Sequence, residues 1–285
     1  MTDAKSVDQV ESVRGNGRGG QFWYMYAVTP AGSVPLPEDL RGVGGGRPRV
    51  LRAGGLAAVM SPVPAADFAA EPLAAHLEDL RWLEETARGH QRVVDGLVPV
   101  ATCVLPLRLA TVCEDADGIR RLLAANRERF TSAVERLDGR AEWGVKVSAD
   151  LSPPAGAGEP APRTGRDYLR QRSRRRSASD EGWRQAEADA RAVHEALARA
   201  AERSRLHPPQ DARLSGEPGR NLVNGAYLVP RADEREFCAL VGRLAGRLTT
   251  PVLSLTGPWA PYSFIEQEEQ EEGQEQEQQE REPTA

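Results

Sequence analysis

The chain has 285 residues, 40% of them hydrophobic and 28% charged, with a formal net charge of −5. That composition fits a globular protein long enough for two modest domains, each with its own core. No run approaches the roughly 18 apolar residues of a membrane span. The opening MTDAKSVDQVESVRGNGRGG lacks the apolar stretch of a secretory signal, so the expected location is the cytoplasm.

Residues 1–20 are polar and glycine-rich, without periodicity, and read as a disordered lead. Within them Gly15 to Gly20 spells G-x-G-x-x-G, but it precedes a strand instead of following one, so no helix N-terminus is placed to meet a phosphate. FWYMYAV (22–28) is aromatic and β-branched, a strand. Residues 29–48 form a Pro- and Gly-rich loop, in which Gly42 to Arg47 lacks the Lys-Ser/Thr ending of a phosphate loop. LRAGGLAAVMSPV (51–63) predicts a hairpin turning at Gly54-Gly55. Pro72 suits the first position of a helix on which Leu73, Leu77, Leu80, Leu83, Ala87 and Val94 share a face.

VPVATCVLPLRLATV (98–112) reads as a strand whose Pro106 marks an edge, a bulge or an end. Asp115 or Asp117 then caps a helix carrying Ile119, Leu122, Leu123, Asn126, Phe130, Val134 and Leu137, and Gly139 closes it. A first domain over 21–139 follows, with a second over 140–265. In the second, EWGVKVS (142–148) is a strand and SPPAGAGEPAP (152–162) a loop or hinge. A helix from about Gly165 to Leu206 comes next, roughly 60 Å long if continuous. Trp183, Ala186, Ala190, Val193, Leu197 and Ala200 give it a narrow, coiled-coil-like seam. His207-Pro208-Pro209 stops it. A strand (221–230), a helix (233–248) and a strand leading to an aromatic end (251–264) complete the domain. Residues 266–285 are a low-complexity Glu/Gln tail, expected to be disordered. From Glu266 to Glu282 it holds nine Glu and one Arg, a charge of −8, which leaves +3 for the rest of the chain. The fold class is α+β, in two domains.

No pattern assigns catalytic, cofactor or metal-binding residues. Cys103, Cys113 and Cys238 form no CxxC pair and read as small, buried or half-buried apolar residues. His76, His90, His194 and His207 make no metal-binding spacing and read as surface or boundary residues. No serine sits in a G-x-S-x-G elbow. Two features point to partners instead. RTGRDYLRQRSRRR (163–176) carries seven Arg and one Asp. Arg170 and Arg174 are its candidate binding residues. The stretch suits an exposed helix, one that captures the acidic tail of its own or a neighbouring chain, a protein partner, or nucleic acid through phosphate contacts. Tyr168 alone offers no stacking series for single strands. In the closing segment, Gly257-Pro258 and Pro261 bracket Trp259, and Tyr262 and Phe264 follow directly. These rings either seal the domain core or present an apolar docking patch.

Five segments, in order, resemble the gas vesicle protein F/L family. They are Tyr24–Val28, Val104–Val112, Gly165–Arg170, Asn224–Val229 and the closing Leu255–Phe264. Leu109-Ala110 departs from the Phe-Gly usual in the second. The resemblance implies two α+β domains, the first ferredoxin-like and the second ferredoxin-like with an elongated helical part. It implies no enzyme and no cofactor, but a gas vesicle assembly protein, a minor component or chaperone. Its partners would be the small hydrophobic major shell protein and other gas vesicle accessory proteins, not membranes, with nucleic acid as the alternative through Arg163 to Arg176.

Overall fold

The computed structural model describes residues 20–32, 34–151, 164–208 and 219–265. The lead before Gly20, the 152–162 loop, Arg163 and the acidic tail lie outside these. The chain divides into two units after Asp138, and each mixes helices with an antiparallel sheet.

In the first unit the sheet order is β2-β3-β1-β4, with β5 also pairing with β1. β1 (Gln21–Pro30) is central, and Tyr24 to Val28 are fully buried. A strand covered on both faces has no solvent side to alternate with, which is why its sequence is a continuous apolar run. β2 (Arg49–Ala53) and β3 (Leu56–Pro64) form the expected hairpin, with Ala53 opposite Leu56 across Gly54-Gly55. A loop with a short 3-10 turn, Val43–Gly45, joins β1 to β2. Its Val43 amide donates to Tyr26 Oη at 2.8 Å.

The single helix expected from Pro72 is two, and a further short helix precedes them. α1 (Ala65–Phe68) and α2 (Ala70–His76) precede α3 (Leu80–Leu97). The Asp79 carboxylate accepts from the amides of Arg81 and Trp82, so it starts a new helix where the apolar spacing ran straight through. Leu77 and Leu80 flank that break and are exposed. Pro72 falls inside α2, not at its first position.

The surface or boundary reading also fails for His90. It is 5% exposed, with Nδ1 3.1 Å from Tyr24 Oη and its ring against those of Tyr24 and Tyr26. Burial lowers its pKa to about 4.

The strand expected over 98–112 shrinks to β4 (Leu105–Pro106) and β5 (Val112–Cys113), both on β1. Pro106 lacks the amide a longer ladder needs. Between the two, Ala110 adopts φ 61° and donates its amide to Tyr24 Oη at 3.0 Å. A left-handed L-residue costs roughly 1–2 kcal/mol, partly offset by the freedom a glycine would gain on unfolding. Ala110→Gly should therefore raise stability by about 0.5–1 kcal/mol. An unchanged or lower denaturant midpoint would contradict this.

Asp115 caps α4 (Ala116–Ala125) through the Gly118 amide. The helix expected to continue breaks at Asn126, whose backbone leaves helical geometry while its side-chain amide donates to the Leu122 carbonyl. α5 (Arg127–Leu137) follows, and Gly139 has φ +70°.

The second unit runs β6 (Arg140–Ala149), α6 (Gly165–Ala200), β7 (Arg203–Leu206), β8 (Arg220–Pro230), α7 (Glu234–Ala245), β9 (Val252–Trp259) and α8 (Tyr262–Ile265). The sheet order is β7-β8-β6-β9. The helix expected to run to Leu206 is shorter. The long helix stops at Ala200, and 203–206 is an edge strand on β8. The last strand stops at Trp259, and 262–265 is a short helix.

α6 has 36 residues, about 54 Å of helix. Its buried residues are Ala186, Ala190, Val193 and Leu197. The last three join Trp143, Val145, Val147, Tyr227, Val229, Phe237 and Val241 in one core. The seam therefore meets the sheet and α7, not a partner helix of its own length. Residues 164–181 are exposed except for the half-buried Gln171.

Candidate functional site

β6 alternates with a period of two, so Trp143, Val145 and Val147 face α6 and α7 while Glu142 points to the opposite face. By register Leu228 and Trp259 lie beside Glu142 on either side. Arg205 stands opposite Ala226 one strand further out. The closing segment covers this corner.

Glu142 holds it there. The Ser263 amide donates to Oε2 and the Ser263 hydroxyl to Oε1, both at 2.8 Å. Arg205 Nη1 donates to the Ser263 carbonyl at 3.0 Å. His207 Nε2 lies 3.0 Å from Ser263 Oγ and donates to it, since that hydroxyl's own proton is directed at Glu142. Burial pushes the Glu142 carboxyl above its ordinary range, opposed by the Ser263 bonds and the Arg205 charge. Although a serine, a histidine and a glutamate meet here, the arrangement does not activate a nucleophile. The histidine donates instead of accepting, and the carboxylate spends both oxygens on the serine that it anchors.

The turn into this segment needs its glycine. Gly257 has φ +122°, and a Cβ there would stand 2.9 Å from the Glu142 carbonyl oxygen. A comparable constraint explains NGAYLV in β8, where a Cβ on Gly225 would meet Tyr227 Oη at 2.7 Å. That hydroxyl pairs instead with His194 Nδ1 at 2.9 Å.

The sequence candidates separate into three environments. Phe264 is 2% exposed and belongs to the interior, so it is withdrawn as a docking residue. Trp259 is 36% exposed and Tyr262 half-buried, both beside the Glu142 anchor. Arg170 and Arg174 are exposed on the first half of α6. They lie at the other end of the unit. Gly182 passes against Leu151, just beyond the last residue of β6, whereas Glu202 pairs with Arg140 at its first. The structure thus brings Trp259 and Tyr262 together and leaves the arginines apart from them. Sequence reasoning missed Glu142, Arg205 and His207 as the anchor. In EWGVKVS the glutamate occupies the polar side of an alternating strand, and nothing local says another segment will cover it.

Among the described residues, no group of three or more His, Cys, Asp or Glu is placed to hold a metal ion, and no helix is long and apolar enough to cross a membrane. No disulfide joins the three cysteines, of which Cys103 is buried and the other two half-buried.

The profile of the family described as "Gas vesicle synthesis protein GvpL/GvpF" matches residues 22–266. The chain belongs to this family. It is 51% identical to the "Gas vesicle protein L" of Streptomyces sp. (strain CB03234) over 250 residues, covering 85% of this chain and 91% of that protein. The "Gas vesicle protein F" of the same organism is 28% identical over 257 residues, covering 85% and 99%. In fold, the GvpL/GvpF member resembles the crystal structure of GvpF from Anabaena sp. PCC7120 with a TM-score of 0.61 at 16% identity, covering 86% of this chain and 96% of that one. The GvpF structure from Microcystis aeruginosa gives 0.58 at 18% identity, covering 86% and 98%. The mixed α and β fold with antiparallel sheets is common to them.

Proposed function

We propose that this chain is a non-catalytic gas vesicle assembly protein that holds the hydrophobic major shell protein before or during polymerisation. The observation that carries the reading is the family match from residue 22 to 266, which takes in both units and the closing segment. A small shell subunit exposes apolar surface until it polymerises, and a partner that covers this surface keeps it from aggregating. Trp259 and Tyr262 are the contact residues in this reading. Their support is geometric: an exposed indole stands next to a segment pinned by the Glu142–Ser263 bonds, which lowers the entropy lost on docking. The protein would act in the cytoplasm and at the vesicle, together with other gas vesicle accessory proteins.

The reading extends to the fold of each unit as ferredoxin-like. For the second unit, support comes from its β-α-β-β-α-β element order and strand order β7-β8-β6-β9. In the first unit a loop replaces the first crossover helix, while the strand order β2-β3-β1-β4 is equivalent.

Co-purification of the tagged full chain with the major shell protein tests the function. The expected result is capture by the parent chain and loss of capture by Trp259→Ala combined with Tyr262→Ala. No association by the parent chain, with vesicles still forming in a strain that lacks it, would overturn the proposal. Capture of nucleic acid in place of the shell protein would turn attention to the arginines of α6.

A further inference from the structure

We propose that the arginine-rich half of α6 is the docking surface for the Glu-rich segment 266–282 of a second copy of this chain. The inference is independent of shell-protein binding. It starts from two charge blocks that the sequence keeps far apart, seven Arg against one Asp over 163–176 and nine Glu against one Arg over 266–282. Arg166, Arg170, Arg172, Arg174 and Arg176 are all exposed, on a part of α6 whose residues do not enter the core. The one acid among them is engaged locally, since Asp167 accepts from Thr164 Oγ1 at 2.7 Å at the helix start. An isolated surface pair contributes little, but a run of arginines facing a run of glutamates forms a network and gives the contact its specificity.

Reach favours a neighbour's segment over the chain's own, because only the last four glutamates extend far enough to meet the arginines of their own helix. Ser263 is fixed to Glu142, Arg205 and His207, so Ile265 lies at the end of the sheet where α6 finishes. From Ala200 back to Arg174 the helix extends about 39 Å, and to Arg166 about 51 Å. The seven residues from Ile265 to Glu272 span at most about 25 Å even when fully extended. Five of the nine glutamates lie at or before Glu272 and therefore stop short of the arginines in their own chain. A second copy removes the mismatch. With two α6 helices side by side and antiparallel, each arginine half lies along the end of its neighbour where the acidic segment begins. Each chain then gives one segment and receives one, which closes as a two-fold pair.

Sedimentation of the full chain in about 20 mM and about 0.5 M salt tests this, since screening at high ionic strength removes exposed charge pairing. The expected result is twice the monomer mass at low salt and the monomer mass at high salt. Two variants should be monomeric at low salt: Arg170, Arg172, Arg174 and Arg176 all changed to Gln, and the nine tail glutamates all changed to Gln. Both sets of changes lie outside the core, and far-ultraviolet circular dichroism checks that each variant is folded. An equimolar mixture of the two variants retains one intact arginine face and one intact acidic segment, and it should recover a species of doubled mass. Pairing within a chain cannot produce that recovery. Three results would overturn the proposal: a monomeric parent chain at low salt, an arginine variant that still doubles, or a doubled species that nuclease treatment abolishes. The last would assign the arginines to nucleic acid.

Discussion

Acidification from pH 6.5 to 4 should cost the first unit about 3 kcal/mol of stability through His90 alone. The folded state holds this imidazole at about 4 against an ordinary value of 6.5, and the cause is burial between Tyr24 and Tyr26. Between those two values the unfolded chain binds more protons than the folded one, so stability rises with pH. The contribution is fully present above 6.5 and is lost as the pH falls toward 4. Hydrogen exchange read on peptides of β1 and α3, corrected for intrinsic rates, should show protection collapsing across this window. His90→Gln keeps a polar group beside Tyr24 but cannot titrate, and it should flatten the response. An undiminished pH dependence in that variant would place the effect elsewhere. Glu142 in the second unit has the opposite sign. Its raised carboxyl pKa gives stability that is complete below the ordinary carboxylate value and declines as pH rises through the folded one. Peptides of β6 and β9 should not follow those of β1 and α3.

Two aromatic residues five positions apart should behave as different kinds of residue. Phe264→Ala removes a ring that is 2% exposed and is expected to cost about 3–5 kcal/mol, enough to unfold or loosen the second unit. Trp259→Ala, at 36% exposure, should cost clearly less, about 1–2 kcal/mol of stability. Its effect should appear in capture of the shell protein instead. A central aromatic anchor is commonly worth about 2 kcal/mol or more of binding, a loss of roughly thirtyfold in affinity. Denaturation and capture measured on the same two proteins separate the cases. If Trp259→Ala destabilises as strongly as Phe264→Ala and still captures its partner, the indole belongs to the core and the docking surface lies elsewhere.

The parts of the fold legible in the sequence are those whose burial leaves a local pattern. β1, the Gly54-Gly55 hairpin, β6 and β8 follow from apolar or alternating runs bounded by turns. The helix breaks at Asp79 and Asn126 did not, because one polar side chain redirects backbone bonds without disturbing the apolar spacing around it. Arg203–Leu206 reads as the tail of α6 because it has no strand-like composition; only pairing with β8 makes it a strand. The closing segment was legible as a unit, but its division into an interior Phe264 and an outward Trp259 was not. Both rings sit among prolines, and what separates them is the Glu142–Ser263 anchor, made by residues 121 positions apart.

Among the described residues, β9 has an edge that no other strand covers. It forms a border of the second sheet and pairs with β6 on one side only. A bare row of amides and carbonyls invites another polypeptide to stack onto it. Pro251 immediately precedes this border and Pro258 lies near its end. Neither can donate to an incoming strand, so the usable length between them is short. The second sheet is thereby protected from growing edge to edge with a strand of another chain.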